Sequence, residues 1–491
     1  MAARHTSCAV IALCVTASVA TAQFEDPKPP KVHKLESIAS PKPTDYAALK
    51  FFGAPKPLNS KAFITDWPGF LGPRRDSHSQ ETMLLRKWPK DGPKLVWSMR
   101  RGEGYSSPVI VDRRLVFTHR INKKIHIDCL HAETGKRFWR VTYPSDYRGV
   151  YITNSGPRST PTVSEGRVYV HGIQGQLFCL DLDTGRTIWE RDLAKELSMV
   201  DDFFGVVSSP LIVGDVLVQS ISCPKGPTVV GFDKNTGKLL WGTGKKWAAS
   251  SSSPVFAKIH GRDRVFVLAG GESRPPIGGL IVLDPKTGEP DFEHPFRSRL
   301  FASVTGATPV VGDNWVFLTS SYGVGSAVLS LAADGKFKER WKNRHIGLQF
   351  SNPVLHAGHI YAIDGVSNRP GAIICLDPAT GKELSRTELN WDETVLDGGR
   401  IRKISVSIGE GSLLVADGNF LCLGDQGHLL WLDVNPKRTK ILARSWLFKA
   451  NETWTPLALS RGLLYACQNN DAHFGDQPAR LLCFDLRRPD Q

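Results

Sequence analysis

The chain repeats one pattern of about 50 residues from residue 93 onwards, and this repeat limits the folds open to it. The clearest copy joins two short apolar stretches, Arg167–Gly172 and Gln176–Asp181, to a tight turn and to a further stretch that carries Trp189. Four strands per repeat at this period indicate a β-propeller. The turn is recognisable eight times, at Gly135, Gly185, Gly237, Gly288, Gly335 and Gly381 and, in degenerate form, near Asp433 and Asp485.

A proline marks the start of one strand in seven of the eight copies. Proline has no N–H to donate to a strand ladder, so it belongs at the first residue of a strand or on an edge. The innermost strand of a propeller blade has such an edge, facing the central channel. The seventh copy lacks the proline, and we place its innermost strand near 405–407. The seven dipeptides are Ser107-Pro108, Thr160-Pro161, Ser209-Pro210, Ser253-Pro254, Thr308-Pro309, Asn352-Pro353 and Thr455-Pro456.

The two ends of the repeat array complete each other. The last copy has strands at Leu463–Gln468 and Leu481–Asp485 but no fourth strand, and an unmatched stretch, Lys94–Trp97, precedes the first copy. Pairing these ends would remove the exposed sheet edges. The sequence therefore predicts an all-β, eight-bladed β-propeller of four-stranded antiparallel blades, closed by an N-terminal strand at about 94–97 that completes the last blade.

The N-terminal residues indicate an exported protein. Residues 1–22 contain a weakly basic start, an uncharged run and a small-residue cleavage site at Ala20–Ala22, as in a secretory signal sequence. Residues 23–64 are rich in proline and lysine, so we expect a tether, followed by the propeller over 65–491. No later stretch has the roughly 20 apolar residues of a membrane helix. We expect a soluble, periplasmic or extracellular monomer that is not integral to the membrane.

The residues that repeat around the ring are predicted to be structural. The turn has the pattern Asp-x-x-Thr-Gly in four copies, where the carboxylate accepts backbone N–H bonds and the glycine supplies a positive φ. Aromatic residues shortly after the turn, such as Trp139 and Trp189, are expected to pack against the neighbouring blade. Cysteines occupy equivalent strand positions in different blades and behave as small apolar residues, while pairing of Cys422 with Cys467 stays open.

Together these residues resemble the pyrroloquinoline-quinone-type (PQQ-like) β-propeller repeat family of bacteria, over about Trp67–Arg488. The stretches Trp67–Arg74 and Gly104–Pro108 look like an exported subgroup of it. The resemblance implies one of two functional branches. Quinoprotein dehydrogenases hold PQQ and Ca²⁺ over the channel and oxidise alcohols or sugars. Non-catalytic propellers include the lipoprotein of the outer-membrane β-barrel assembly machinery, to which this propeller is similar.

Two motifs of the dehydrogenase branch are missing from the sequence. There is no adjacent Cys-Cys pair on which PQQ would stack, and no Cys-x-x-Cys-His haem attachment motif. We therefore expect no cofactor and a binding or scaffolding protein of the cell envelope without catalytic activity. A PQQ-dependent dehydrogenase with PQQ and Ca²⁺ is the first alternative, and a propeller enzyme acting on acidic polysaccharide is the second.

Residues just before the innermost strands should line the channel face and are the candidates for ligand binding. Arg158 and Glu452 are the charged members of this set, suited to hold a carboxylate or sulfate and to act as an acid or base. No metal site and no catalytic residue is predicted. The full set is Tyr105, Arg158, Trp247, Gln349, Asn352, Glu452 and Trp454.

The positive charge of the chain points to an anionic partner. The formal net charge is +14, and residues 86–148 hold 15 Lys/Arg against 6 Asp/Glu. Export makes nucleic acid an unsuitable partner. We expect an envelope protein or an anionic envelope polymer, bound through this sector in a salt-sensitive manner.

Overall fold

The computed structural model describes residues 26–89, 91–149, 154–201, 203–365, 370–397, 399–471 and 478–490. The predicted signal sequence, 1–22, lies outside the described residues. Within the described ranges, no helix has the length and apolar character needed to cross a bilayer.

The repeats form antiparallel four-stranded sheets that follow one another around a ring, as predicted. Two strands, β1 (Leu49–Phe51) and β2 (Lys94–Arg100), precede the first blade. Blades 1 to 4 consist of β3 (Val109–Val111), β4 (Arg114–Ile121), β5 (Lys124–His131) and β6 (Arg137–Pro144); β7 (Thr162–Ser164), β8 (Arg167–His171), β9 (Gln176–Asp181) and β10 (Thr187–Asp192), followed by helix α1 (Leu193–Glu196); β11 (Leu211–Val213), β12 (Val216–Ser220), β13 (Val229–Asp233) and β14 (Leu239–Thr243); and β15 (Val255–Ile259), β16 (Arg262–Ala269), β17 (Gly279–Leu283) and β18 (Pro290–Pro295).

The second half of the ring repeats this order with one insertion. Its strands are β19 (Val310–Val311), β20 (Trp315–Ser320), β21 (Gly325–Leu331) and β22 (Phe337–Asn343) in blade 5; β23 (Val354–His356), β24 (His359–Asp364), β25 (Ala372–Leu376) and β26 (Glu383–Glu388) in blade 6; the inserted hairpin β27 (Asn390–Asp397) and β28 (Arg400–Ser407); β29 (Ser412–Ala416), β30 (Asn419–Leu423), β31 (His428–Asn435) and β32 (Arg438–Trp446) in blade 7; and β33 (Ala458–Ser460), β34 (Leu463–Gln468) and β35 (Arg480–Asp485) in blade 8.

The position of each strand in its blade follows from its pattern of apolar residues. Second and third strands such as β24 and β25 are nearly continuous apolar runs, and they are buried because neighbouring blades cover both faces. Outermost strands such as β26 alternate between half-buried and exposed residues, as expected where one face meets solvent. The core therefore lies between blades, around the whole ring.

The predicted closure of the ring is confirmed. Strand β2 pairs antiparallel with β35, from Lys94 with Asp485 to Arg100 with Arg480, with a bulge between Leu95 and Trp97. It extends three residues beyond the predicted stretch. Strand β1 pairs with the other edge of β2 and makes this sheet five-stranded. The N-terminal part of the chain thus supplies the outer strands of the last blade.

The innermost strand of blade 7 is not where the sequence predicted it. Residues 405–407 lie in β28, which pairs with β27 in a hairpin, and the innermost strand is β29. The reason is the insertion between blades 6 and 7, which displaces the blade 7 strands toward the C-terminus. This copy has no proline marker, so no residue pattern indicates the shift.

The tryptophans that follow the turns pack against the next blade, as predicted. Trp139 stacks on the turn of blade 2, where its indole N–H donates to the carbonyl of Leu182 at 3.0 Å. A Cβ atom on Gly185 would lie 2.6 Å from the Trp139 ring, so the contact requires glycine there. The same arrangement recurs in other blades for Trp97, Trp189, Trp241 and Trp341.

The segment 67–79 crosses the channel and pairs with the free edges of innermost strands. Trp67 exchanges two backbone hydrogen bonds with Ile110 of β3, and Val415 of β29 receives a backbone hydrogen bond from Ser79 at 2.8 Å. The buried guanidinium of Arg75 donates to the carbonyl of Pro254 at 3.1 Å and also contacts the carbonyl of Pro210. Arg75 thereby links the backbone just before β11 to the backbone just before β15.

The proline-rich segment before residue 65 lies along the outside of the ring. His33 donates its N–H to the carbonyl of Ile188 in β10, and Thr44 pairs with Arg137 in β6. Asp26 forms an ion pair with the buried Arg191 at 2.7 Å and accepts the backbone N–H of Leu239, in β14 of blade 3, at 2.8 Å. Residues 26–52 therefore cover outer edges of blades 3, 2, 1 and 8 in turn. A tethering role for this segment stays a prediction.

The cysteines within the described residues are buried and unpaired, and they include Cys422 and Cys467. In the third strands of blades 1 and 2, Cys129 and Cys179 lie opposite Trp139 and Trp189. This placement agrees with their predicted role as small apolar core residues.

Replacing the turn glycine Gly185 with alanine tests the tryptophan packing. Gly166 is the matched control, because it has the same φ of +72° but no atom within 4 Å of an added Cβ. Gly166→Ala should cost about 1–2 kcal/mol of unfolding free energy for the left-handed backbone alone. Gly185→Ala should cost a further 1–3 kcal/mol, roughly, because the Trp139 ring must move. Equal losses in denaturant unfolding would refute the packing argument.

Candidate functional site

A small cavity lies at the channel, where the segments that lead into the innermost strands meet. Its volume is about 100 Å³, below the roughly 300–1,000 Å³ typical of small-molecule sites. Four of the seven predicted residues line it, namely Tyr105, Arg158, Asn352 and Trp454. Phe70, from the segment that crosses the channel, contributes to the same wall.

Aromatic rings stack in a column at this cavity. The Trp454 ring lies between Phe350 and Tyr105, with centroid distances of 4.6 and 5.5 Å and interplanar angles of 22° and 23°. The Arg158 guanidinium continues the column, 5.7 Å from the Tyr105 ring and 5.6 Å from the Phe204 ring. Offset stacking and cation–π contacts of this kind stabilise the rings against one another.

Arg158 is buried and holds its own loop in place. Its two terminal nitrogens donate to the carbonyls of Gly156 at 3.1 Å and Asn154 at 2.9 Å. Burial lowers the pKa of this guanidinium. Arg158 thus positions its own loop and the column of aromatic rings. Its two terminal nitrogens already donate hydrogen bonds to backbone carbonyls.

Glu452 lies beside the cavity and is bound to its wall. The Tyr105 hydroxyl donates to the Glu452 carboxylate at 3.1 Å, and the Asn470 amide donates to the same oxygen at 3.4 Å. Burial and the Glu452 charge raise the pKa of Tyr105. The charged pair predicted for the site is therefore joined through Tyr105.

The remaining predicted residues have other surroundings. Gln349 donates from its side chain to the Tyr322 hydroxyl at 2.7 Å, and its carbonyl accepts from Gly306. Trp247 lies away from the cavity, in a cleft beside Ile277. The reason is a bridge between Ala249 and Ala269, which places Ser251 and Ser253, rather than Trp247, at the cavity.

Phe350 was missed by the sequence prediction, although a signal for it exists. It stands three residues before Pro353, as Tyr105 stands three residues before Pro108. The register of the proline marker would therefore have found it.

A buried carboxyl pair on the loops of blade 7 was also missed. The Glu410 backbone N–H donates to the Asp425 carboxylate at 3.1 Å, and one side-chain oxygen of each residue is buried without a protein partner among the described residues. Burial, together with the nearby carboxylates of Asp425 and Glu452, raises the pKa of Glu410 to about 7. Burial and the Glu452 charge raise the pKa of Asp425 to about 6. The two acids are 15 residues apart, and only the folded loops bring them together.

Several of the fifteen cations in residues 86–148 bind to other groups of the protein. Arg120 donates to the carbonyls of Tyr147 and Ser155, and Arg140 pairs with the buried Asp128 at 2.6 Å. Further ion pairs engage Arg86 with Asp417, Arg114 with Asp183 and Lys136 with Asp45. Much of this predicted binding sector therefore stabilises the fold.

The described groups around the cavity do not match PQQ and its metal. PQQ carries three carboxylates, and a Ca²⁺ partner needs six to eight oxygen ligands, roughly. In the described part of the chain, no cluster of three or more His, Cys, Asp or Glu side chains is arranged to hold a metal ion. The cation at the cavity wall, Arg158, already binds two carbonyls, and the Glu452 carboxylate beside the wall would repel a carboxylate of PQQ.

Comparison with known proteins places the chain in a family. The family model described as outer membrane protein assembly factor BamB (PQQ_2) matches residues 123–387, which is more than half of the chain. The chain therefore belongs to this family of PQQ-like propellers, as its repeats predicted.

Relatives of two kinds share part of the sequence. Quinoprotein ethanol dehydrogenase from Pseudomonas aeruginosa is 29% identical over 170 residues, which cover 32% of this chain and 26% of that enzyme. Outer membrane protein assembly factor BamB from Burkholderia pseudomallei is 28% identical over 251 residues, which cover 48% of this chain and 57% of that protein. The chain spans only part of the length of each.

Solved structures support the fold. BamB from Moraxella catarrhalis has a TM-score of 0.52 at 15% identity, over 80% of this chain and all of that one. The quinohemoprotein alcohol dehydrogenase from Comamonas testosteroni has a TM-score of 0.58 at 13% identity, over 87% and 81%. Both branches share the architecture, so the fold does not choose between them.

The carboxyl pair predicts how stability depends on pH. A carboxyl group whose folded pKa is raised binds its proton more tightly in the folded state, so its stabilising contribution is lost as pH rises from about 4.5 to 7. Glu410→Gln should therefore be close to the parent in unfolding free energy at pH 5 and more stable by about 2–3 kcal/mol at pH 8. Glu388→Gln, at an exposed position, should change neither value. Parallel stability–pH curves for Glu410→Gln and the parent would contradict the assignment.

Proposed function

We propose that this protein is an exported propeller of the cell envelope that binds or scaffolds and does not catalyse a reaction. The observation that carries the proposal is that the central channel is largely filled. Residues 67–79 cross it, and the cavity that the described residues enclose there has a volume of about 100 Å³ and is walled by side chains that bind one another. A substrate and cofactor pocket needs several times that volume.

The family assignment supports the same conclusion. The matching family model and one of the relatives carry the name of an outer membrane protein assembly factor. We infer that the partner is an envelope protein or an anionic envelope polymer, and that binding takes place on the outer surfaces of the ring.

The channel-face residues have a supporting part in this proposal. Tyr105, Arg158, Asn352 and Trp454 form the closely packed centre of the ring, and the Glu452 carboxylate accepts a hydrogen bond from the Tyr105 hydroxyl. Gln349 links this centre to Tyr322. In this proposal these contacts hold the channel side chains in place and support the ring, while the partner binds on its outer surfaces.

A PQQ-dependent dehydrogenase is the alternative, and the two ethanol dehydrogenases among the relatives favour it. Reconstitution separates the two functions. The mature protein is incubated with PQQ and Ca²⁺, and dye-linked oxidation of alcohols and sugars is measured beside a quinoprotein alcohol dehydrogenase as positive control.

We expect no dye reduction above background and no saturable quenching of tryptophan fluorescence by PQQ, because the groups at the cavity do not match the cofactor. Saturable PQQ binding together with substrate-dependent dye reduction would overturn the proposal. Release of new reducing ends from acidic glycans would instead support the second alternative, an enzyme acting on polysaccharide.

A further inference from the structure

A large cleft lies between blades 4 and 5, away from the central cavity. Its volume is about 790 Å³, within the range of ligand sites. The walls come from the end of β18 and the loop after it (295–300), the residues before β17 (276–278) and the turn between β20 and β21 (322–324). Lys342 at the end of β22, Arg344 just after it and Trp247 from blade 3 complete the lining. Connections of this kind vary between blades without disturbing the ring, so they are suited to carry a specific site.

The cleft is lined by cations and by no acidic residue. Its fifteen lining residues include Arg297, Arg299, Lys342 and Arg344, and none is Asp or Glu. Arg299, Lys342 and Arg344 are exposed, and no ion pair joins any of the three to another residue in the described ranges. Elsewhere on this protein, exposed cations such as Lys258 and Lys336 have a carboxylate within 3.0 Å.

Arg297 has a structural function in this cleft. Its guanidinium donates to the carbonyls of Gly270 at 2.6 Å, Gly271 at 2.9 Å and Phe301 at 3.0 Å. These bonds tie the loop after β18 to the neighbouring loop of blade 4. The backbone that carries Arg299 is therefore anchored by these hydrogen bonds, whereas the Arg299 side chain is exposed.

The cleft continues along the rim of the ring. A second depression of about 500 Å³ shares Lys342 and Arg344 with it and extends to His345 and Thr380 of blade 6. This depression also contains no acidic lining residue. On the other side, a smaller depression around Lys245 and Lys246 includes Asp201 and Glu272, so its charge is mixed. The positive stretch is thus elongated and lies over blades 4 to 6.

Two partly exposed aromatic rings complete the cleft. Trp247 and Tyr322 are lining residues, and Tyr322 is fixed by the hydrogen bond from Gln349. Exposed aromatic faces next to cationic groups suit a ligand made of rings that bear carboxylates. The lining includes only the ends of β18 and β22, so an extended peptide would find no continuous row of strand N–H and C=O partners there.

We propose that this basic groove (Trp247, Arg299, Tyr322, Lys342 and Arg344) binds a linear polysaccharide that carries carboxylates. The inference rests on the proposed binding function and names its ligand class. Guanidinium and ammonium groups bind the carboxylates, and the aromatic faces contact the sugar rings. Binding through exposed charges is weakened by salt.

The test uses the mature chain and an oligogalacturonate of about ten units, with its fully methyl-esterified form as the neutral control. Affinity is measured by isothermal titration calorimetry. We expect saturable binding of the acidic form only, with an affinity that falls at least about fivefold between roughly 50 and 300 mM salt. Equal binding of the ester would overturn the proposal.

Two double variants locate the site. Arg299→Gln with Arg344→Gln should weaken binding about 3- to 30-fold, whereas Lys437→Gln with Lys440→Gln, exposed on blade 7, removes the same charge and should leave the affinity unchanged. Thermal melts check that both variants fold as the parent does. Equal affinity of the two double variants would place any binding outside the groove and refute the inference.

An acidic peptide distinguishes the remaining outcome. If a glutamate decapeptide binds through Arg299 and Arg344 while the oligogalacturonate does not, the groove recognises acidic protein segments and the polysaccharide inference fails. That failure leaves the proposed binding function intact, because only the PQQ and Ca²⁺ reconstitution tests catalysis. Conversely, dehydrogenase activity together with unchanged oligogalacturonate binding would refute the proposed non-catalytic function. The inference that the basic groove binds acidic polysaccharide would then still stand.

Discussion

The pairing of β2 with β35 joins the two ends of the propeller, and the remaining contacts depend on it. Each blade covers one face of its neighbour, so a ring that failed to close would expose the apolar faces at both ends. Trp97, in β2, also packs against the turn of blade 1 and donates to the carbonyl of Ala132 at 2.8 Å. One strand therefore completes the last blade and bonds it to the first.

Closure of the ring fixes the loops that lead into the innermost strands, and these loops determine what the channel can do. The free edges of the innermost strands need hydrogen-bond partners, and residues 67–79 with the buried Arg75 supply some of them. The remaining space is narrowed by the column of Phe350, Trp454, Tyr105 and Arg158. Among the described residues, the centre is consequently closely packed and its cavity is small, whereas the larger clefts lie toward the rim. Residues that repeat around the ring maintain it, whereas the basic groove is built from residues that do not repeat.

The repeat allowed the ring, its closing strand and the packed tryptophans to be predicted, because each follows from a periodic pattern. The position of residues relative to the proline marker also predicted that Tyr105, Arg158, Asn352 and Trp454 lie together, and all four line one cavity. The same prediction failed for Trp247, which stands seven residues before Pro254. The bridge between Ala249 and Ala269 places its side chain in the cleft between blades 4 and 5 instead. The prediction failed again at blade 7, where an inserted hairpin shifts the strands. Glu410 with Asp425, and the cations of the groove, come from separate loops, so no local pattern marks them. Counting charges along the sequence selected residues 86–148, where Arg120 and Arg140 turn out to bind within the fold.

The central claim is that recognition takes place at the rim and that the channel is a structural centre. Hydrogen–deuterium exchange of the mature protein, with and without oligogalacturonate, tests it most directly because it reports on both places at once. The account predicts slower exchange on binding in peptides that cover 295–301 and 341–346, with no change in peptides that cover 104–107 and 452–456. Protection at the channel segments without protection at the rim would contradict it.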